Sequence, residues 1–158
     1  MFAIGDKIVY PMHGAGTIVS IEEKEILGEK KDYYTVLMPI GDMKVMIPVG
    51  SAEDVGVRRI SSDEKLEEVR NILSGSDIPM DSNWNKRYRD NLDKIKGGDI
   101  CEVAVVIRNL VSMDEEKGLS TGERKMLNNA KQILMSEVAL VKDLKKEDVE
   151  KLLLDLLE

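Results

Sequence analysis

The chemistry open to this chain rests on a lone histidine, a lone cysteine and one dense run of cations around its only tryptophan. His13 lies in the turn His13-Gly14-Ala15-Gly16. It has no second histidine and no serine- or cysteine-centred constellation to work with, so it reads as a structural or exposed turn residue, not a general base. The glycines around it are too few for a phosphate loop, and no helix is expected to follow them. Cys101 cannot form a disulfide within the chain or build a zinc site from thiolates. It falls on an apolar helical stripe, as a core thiol would. The carboxylates are spread along solvated faces. No catalytic residue, metal or cofactor is expected, and the chain does not read as an enzyme.

The remaining candidate is Asn83-Trp84-Asn85-Lys86-Arg87-Tyr88-Arg89. The formal net charge of the chain is −7, which on its face argues against nucleic acid. The charge is unevenly distributed. Residues 1–60 carry seven Lys/Arg and nine Asp/Glu, and residues 143–158 carry three Lys and six Asp/Glu. Residues 81–98 carry five Lys/Arg against three Asp. Any phosphate contact therefore belongs to this internal patch, and it should be weak by itself. Cations in the first turn of a helix oppose its dipole, so they serve its stability poorly. An aromatic ring ringed by Arg, Lys and Asn has what a minor-groove wedge needs: cations for the phosphates and a ring to fill an unstacked step. Such a wedge would favour the edge between duplex and melted DNA, where unstacking costs least. Periodicity alone points the other way, because Trp84, Tyr88, Leu92 and Ile95 share one stripe and Trp84 would then be core.

Two kinds of element must position these residues. Over residues 1–60, Gly and Pro punctuate short β-rich segments. Strands are expected at Lys7–Tyr10, Thr17–Glu25, Tyr33–Met38 and Met43–Ile47, with turns at His13–Gly16 and at Pro39 to Asp42 and a polar loop over Gly28–Asp32. So short a meander of four or five strands is expected to curl into an SH3- or Tudor-like barrel. Alternation puts Thr17, Val19 and Ile21 inward, with Met43, Val45 and Ile47. It puts Ser20, Glu22 and Lys24 outward, with Lys44 and Met46. An outward Met beside an outward Lys can serve as an adaptable contact surface, although scattered exposed apolar residues need no such explanation.

Near residue 60 the period changes from 2 to 3.6. Ser61 and Glu64 form the pattern of a capping box, and Leu66, Val69, Ile72 and Leu73 make the stripe of a helix that stops at Ser74-Gly75-Ser76. A connector Asp77-Ile78-Pro79-Met80 leads to a second helix capped by Asp81 or Ser82 and stopped by Gly97-Gly98. A mostly buried third helix follows Asp99. Ser120 and Glu123 open a fourth, with Met126, Leu127, Ala130, Ile133, Leu134, Val138 and Val141 on one face. A fifth buries Val149, Leu152, Leu153, Leu156 and Leu157. The fold class is α+β: a small β-barrel over 1–60 and a compact all-α domain of about five helices over 61–158. The N-terminus lacks a signal-peptide pattern and the longest apolar run, Val103 to Ile107, is too short for a bilayer. A cytoplasmic location is expected, with no membrane partner.

Several colinear motifs carry a family resemblance. They are Gly5-Asp6-Lys7-Ile8-Val9-Tyr10-Pro11-Met12-His13-Gly14, Val55-Gly56-Val57-Arg58, Asn83-Trp84 with Arg87-Tyr88, Gly118-Leu119-Ser120 to Glu123, and Ala130-Lys131-Gln132-Ile133-Leu134. Over nearly its whole length the chain resembles the CarD/CdnL family of bacterial RNA polymerase-binding transcription regulators. The resemblance implies a Tudor-like domain docked on the polymerase β subunit, and the contact residues expected on this sequence are Lys24, Lys44, Met46 and Ile47. The family has basic residues where Lys24 and Met46 stand. Lys24 keeps the charge and Met46 does not, which implies a more apolar or a weaker contact there. The helical domain would contact promoter DNA at the upstream edge of the bubble. Trp84 would wedge into the minor groove and stabilise the open complex, with Lys86, Arg87 and Arg89 on the DNA backbone; Asn83, Arg124 and Lys125 are further expected DNA contacts. The β module also resembles the polymerase-interacting domain of transcription-repair coupling factors, whose helicase motifs are absent here. A monomer is expected. The competing reading is a non-catalytic protein–protein adaptor with Trp84 buried and no direct DNA contact.

Overall fold

The computed structural model describes residues 1–40, 42–75 and 80–157. Gly41 of the Pro39–Asp42 turn, Ser76 of the first helix stop and Asp77–Pro79 of the connector lie outside the described residues.

Five strands come first: β1 (Lys7–Tyr10), β2 (Gly14–Ile26), β3 (Glu29–Leu37), β4 (Lys44–Pro48) and β5 (Arg58–Arg59), with a single helical turn at Val49–Ser51. They form one antiparallel sheet in the order β4-β3-β2-β1-β5. The expected barrel is not closed, because β4 and β5 end the sheet and do not pair with each other. One face of the sheet packs into a small core of Ile8, Ile18, Tyr34, Val36, Met38 and Ile47.

The side-chain parity of β2 departs from simple alternation. Ile18 pairs with Val36, but the next pair is Ser20 with Thr35, so Val19 is an extra, bulged residue. A bulge shifts which residues face inward by one position. Ile18 is therefore core, while Thr17 is only partly buried and Val19 is exposed, contrary to the expectation for both. Beyond the bulge Ile21 lies opposite the buried Tyr34 but is itself 37% exposed, so it too departs from the inward expectation. Met43 precedes β4 and is exposed, whereas Val45 and Ile47 do face the core. The expected polar loop at Gly28–Asp32 is mostly strand: the turn is Leu27-Gly28, and Glu29 to Asp32 continue β3. This arm is exposed on both faces, so it carries no hydrophobic alternation to announce it.

Five helices follow: α1 (Asp63–Ser74), α2 (Trp84–Lys96), α3 (Ile100–Glu116), α4 (Thr121–Lys142) and α5 (Lys146–Leu157). Each of the first four begins at a side-chain cap, which satisfies a backbone N–H that the helix leaves unpaired. The caps are Ser62, Asn83, Asp99 and Ser120. Two stand one or two residues later than expected. Ser62, not Ser61, caps α1, and Ser61 instead donates its N–H to Glu137 Oε2 at 2.7 Å. Asn83, not Asp81 or Ser82, caps α2. The core of the bundle is the expected stripes of α1, α3, α4 and α5, with Val103, Ala104, Val106, Ile107 and Leu110 of α3 at its centre.

Sheet and bundle meet where β2 begins. The N–H of Ala15 donates to Ser136 Oγ on α4 at 2.8 Å. A Cβ on Gly14 would lie 2.7 Å from that same oxygen, and Gly14 has φ +107°, so only glycine fits this crossing. On the other side Arg58 of β5 forks onto Glu137, with Nη2–Oε1 at 2.8 Å and Nη1–Oε2 at 3.0 Å.

Candidate nucleic-acid interface

Trp84 is the first residue of α2. Its ring is 41% exposed, against the core position that periodicity offered it. The stripe of α2 enters the core at Ile95, with Tyr88 and Leu92 partly buried against it, and Trp84 stands one turn beyond the packed part. Two contacts fix the ring. Tyr88, one turn on, stacks on it with centroids 5.0 Å apart and planes 18° from parallel. Its Nε1–H donates to Glu123 Oε1 at 3.0 Å and to Ser120 Oγ at 3.1 Å, both at the start of α4. Gly122 closes the gap between them: a Cβ there would lie 3.6 Å from the Tyr88 ring and 3.8 Å from Trp84 Cζ2.

Glu123 is the centre of this cluster and is only 2% exposed. Its Oε2 accepts from Arg87 Nε at 2.9 Å and its Oε1 from Arg87 Nη2 at 3.3 Å. The Ser120 hydroxyl donates to Oε1 at 3.2 Å. Burial pushes the carboxyl up, but the Arg87 guanidinium, with the Ser120 and Trp84 donors, outweighs it and holds Glu123 below its ordinary value. The expected reciprocal capping box is thus half made. Ser120 accepts the Glu123 N–H, while the Glu123 side chain turns to Trp84 and Arg87.

The other candidates divide. Arg87 is largely buried on Glu123 and also donates to the carbonyls of Asp81 and Ser82, so its guanidinium does not face outward as a phosphate ligand. The Asn83 side-chain oxygen accepts the Lys86 N–H at 3.1 Å as the helix cap, while the residue stays exposed and its amide NH2 is not used by the cap. Lys86 is exposed and pairs with Asp81 at 3.3 Å. Backbone N–H donation from Asn83 and the Lys86 ammonium together keep the Asp81 carboxyl low. Arg89 and Lys125 are exposed. Arg124 is exposed and pairs with Asp114 at 2.9 Å. The candidate cations of α2 and the start of α4 that reach solvent are therefore Lys86, Arg89, Arg124 and Lys125.

On the sheet, Lys24, Lys44 and Met46 lie on the exposed face and Ile47 does not: it is 1% exposed and belongs to the core, so its side chain cannot be a contact. Met46 pairs with Thr35, and Thr35 with Ser20, whereas Lys24 pairs with Lys31 further along the arm. Four residues of strand rise and two strand spacings put Lys24 and Met46 roughly 16 Å apart. They share a face without touching. Lys24 pairs with Glu22 at 3.7 Å.

Among the described residues no group of three or more His, Cys, Asp or Glu is arranged to hold a metal. No helix among them is long and apolar enough to cross a membrane. His13 stacks on Tyr10 at 4.3 Å, and Cys101 is partly buried against the bundle, with Sγ 3.5 Å from Glu68 Oε2.

The sequence relationships agree with this architecture. The domain described as "CarD, C-terminal domain" matches residues 68–154, and "CarD-like/TRCF RID domain" matches residues 2–61. A protein of Bacillus subtilis (strain 168), named "Putative transcription factor YdeB", is 43% identical over 149 residues, covering 94% of this chain and 97% of that one. The chain belongs to the CarD family. A solution structure of the 72-residue N-terminal domain of Myxococcus xanthus CarD is also similar: it is 34% identical, with a TM-score of 0.33, over 37% of this chain and 79% of that one.

Sequence reasoning missed the Trp84 anchor. Glu123 was visible only as the last residue of the capping box Ser120-Thr121-Gly122-Glu123, a role that accounts for a Glu there without any partner outside its own helix turn. Nothing in the spacing brings positions 84, 87 and 123 together; the packing of α2 on the start of α4 does.

Proposed function

We propose that this protein is a transcription regulator that works without catalysis. Residues 1–60 dock on the β subunit of RNA polymerase, and residues 61–158 meet promoter DNA at the upstream edge of the bubble. There Trp84 wedges into the minor groove and slows bubble collapse. The observation that carries this reading is the half-exposed indole at the tip of α2, on a helix whose Lys86 and Arg89 reach solvent and anchored to the start of α4, where Arg124 and Lys125 reach solvent.

The physical logic is effective concentration. An acidic protein binds free DNA poorly, but a polymerase-docked β module holds a small basic patch beside the promoter, where a weak contact suffices. A wedge shifts the equilibrium only so far as it binds melted DNA better than duplex. The docking face is the exposed side of the sheet around Lys24, Lys44 and Met46, and the match to a CarD-like/TRCF RID domain supports a polymerase partner for it. Met46 makes that contact partly apolar.

The two halves separate by mutation. Lys24→Glu with Met46→Glu is expected to abolish polymerase binding in a pull-down while leaving the circular dichroism unchanged. Trp84→Ala is expected to bind polymerase normally and lose most of the effect on open-complex lifetime. Loss of polymerase binding in Trp84→Ala, or full binding in the sheet-face variant, would contradict this division.

A further inference from the structure

The polar edge of the Trp84 ring faces inward. Its N–H donates to Glu123 and Ser120, and its face rests on Tyr88. Glu123 is itself held on both oxygens by Arg87, and Arg87 is held by the Asp81 and Ser82 carbonyls just before α2. A carboxylate gripped bidentately by a guanidinium is a geometrically fixed acceptor. We infer that Glu123 is the positioning residue for the Trp84 wedge, and that Arg87 serves this carboxylate instead of a phosphate.

This inference rests on the wedge reading above and adds two physical gains to it. A ring already held in one orientation loses little freedom when it inserts, so less of the contact is spent on ordering. An indole N–H pushed between base pairs would lose its water, and a buried donor without a partner is costly. Glu123 supplies that partner before DNA arrives. The wedge then presents only apolar edge and π surface. It has no indole donor left for reading bases, so any preference at the insertion point must come from how easily a step unstacks.

Trp84 is the only tryptophan in the chain, so its emission reports this site alone. In full-length Glu123→Ala, steady-state anisotropy of the emission is expected to fall and acrylamide quenching to rise, with helical circular dichroism retained. With polymerase and one promoter, open-complex lifetime is expected to drop most of the way to that of Trp84→Ala. In the Trp84→Ala background the same Glu123 change is expected to add nothing, because Glu123 acts through the ring. Wild-type anisotropy and quenching in Glu123→Ala would overturn the inference. So would an effect on lifetime that persists without Trp84. If Glu123→Ala does not fold, Trp84→Phe decides: it keeps an aromatic ring on an exposed site and removes the pyrrole ring with its anchored N–H. Loss of most of the lifetime gain in that variant supports the inference, and full activity overturns it. A Trp84→Ala protein with an unchanged lifetime would instead defeat the wedge reading, while the fluorescence would still report whether Glu123 holds the ring.

Discussion

At Glu123 two opposing effects meet, and the sign of their sum has a consequence for pH. Burial favours the neutral acid, while Arg87 and the two neutral donors favour the carboxylate and win. The folded value therefore lies below the ordinary 4.5. For a lowered carboxyl, the stabilisation is complete above the ordinary value and is lost as the pH falls through the folded one. Emission anisotropy of Trp84 is thus expected to hold steady from neutrality down to about pH 5 and to fall only in more acid solution. In Glu123→Gln that acid transition is expected to disappear. The cluster also explains which residue-level readings from sequence survive. Lys86, Arg89, Arg124 and Lys125 stay available because they sit on the outer sides of α2 and α4. Arg87 and Asn83 looked equivalent to them in a linear run of cations and amides. Arg87 is consumed by a buried carboxylate that is invisible until the chain is folded, and Asn83 gives its side-chain oxygen to the helix cap.

At the scale of elements, what was legible was periodicity and what was not was its interruption. The stripes of α3 and α4 were plain because a buried helix repeats one signal over four or more turns. β2 was harder, because a single bulged residue at Val19 reverses the parity of everything before it. The arm beyond the bulge was harder still. It is exposed on both faces and its turn, Leu27-Gly28, carries no Asn or Asp to mark it. Both turn residues have positive φ, 54° at Leu27 and 80° at Gly28, as a two-residue hairpin turn of this hand requires. Leucine is poorly suited there, since a left-handed backbone crowds its Cβ. Leu27 also touches solvent almost everywhere, being 99% exposed. Leu27→Asn is therefore expected to raise stability by about 0.5–1 kcal/mol, seen as a higher urea midpoint with an unchanged slope. If the arm's tip serves polymerase docking, the same variant will bind polymerase less well despite its greater stability.

Over the whole molecule, the two cores are joined by Met12 and Ile40 packed on the helical core and by polar contacts from β1, β2 and β5 to α4. Glu137 is 1% exposed. It accepts both arms of Arg58 from β5 and the N–H of Ser61 from the stretch that leads into α1. Arg58 also donates to the Gly98 carbonyl at 2.8 Å, beside the start of α3. Removing one member of a buried pair leaves the other without its partner. Glu137→Ala is expected to cost about 3 kcal/mol in urea unfolding, at the lower end for such pairs because Arg58 keeps a side to water. This junction fixes the direction in which α2 points relative to the sheet. The proposed function needs that direction, since a docked sheet must aim Trp84 at one position on the promoter. Position in sequence did not disclose the junction: Ser136 and Glu137 fall within a helix whose apolar stripe already explained it.

The central claim is that an indole, held outward by the protein and brought to the promoter by a polymerase-docked sheet, keeps melted DNA from closing. The most direct measurement is the lifetime of the open complex on a single promoter with cognate polymerase, after challenge with a competitor, in the presence of wild-type protein or Trp84→Ala. A lengthened lifetime is expected with the wild type and nearly none of that gain with Trp84→Ala, at concentrations where both proteins saturate the polymerase. An equal lengthening by both proteins would contradict it.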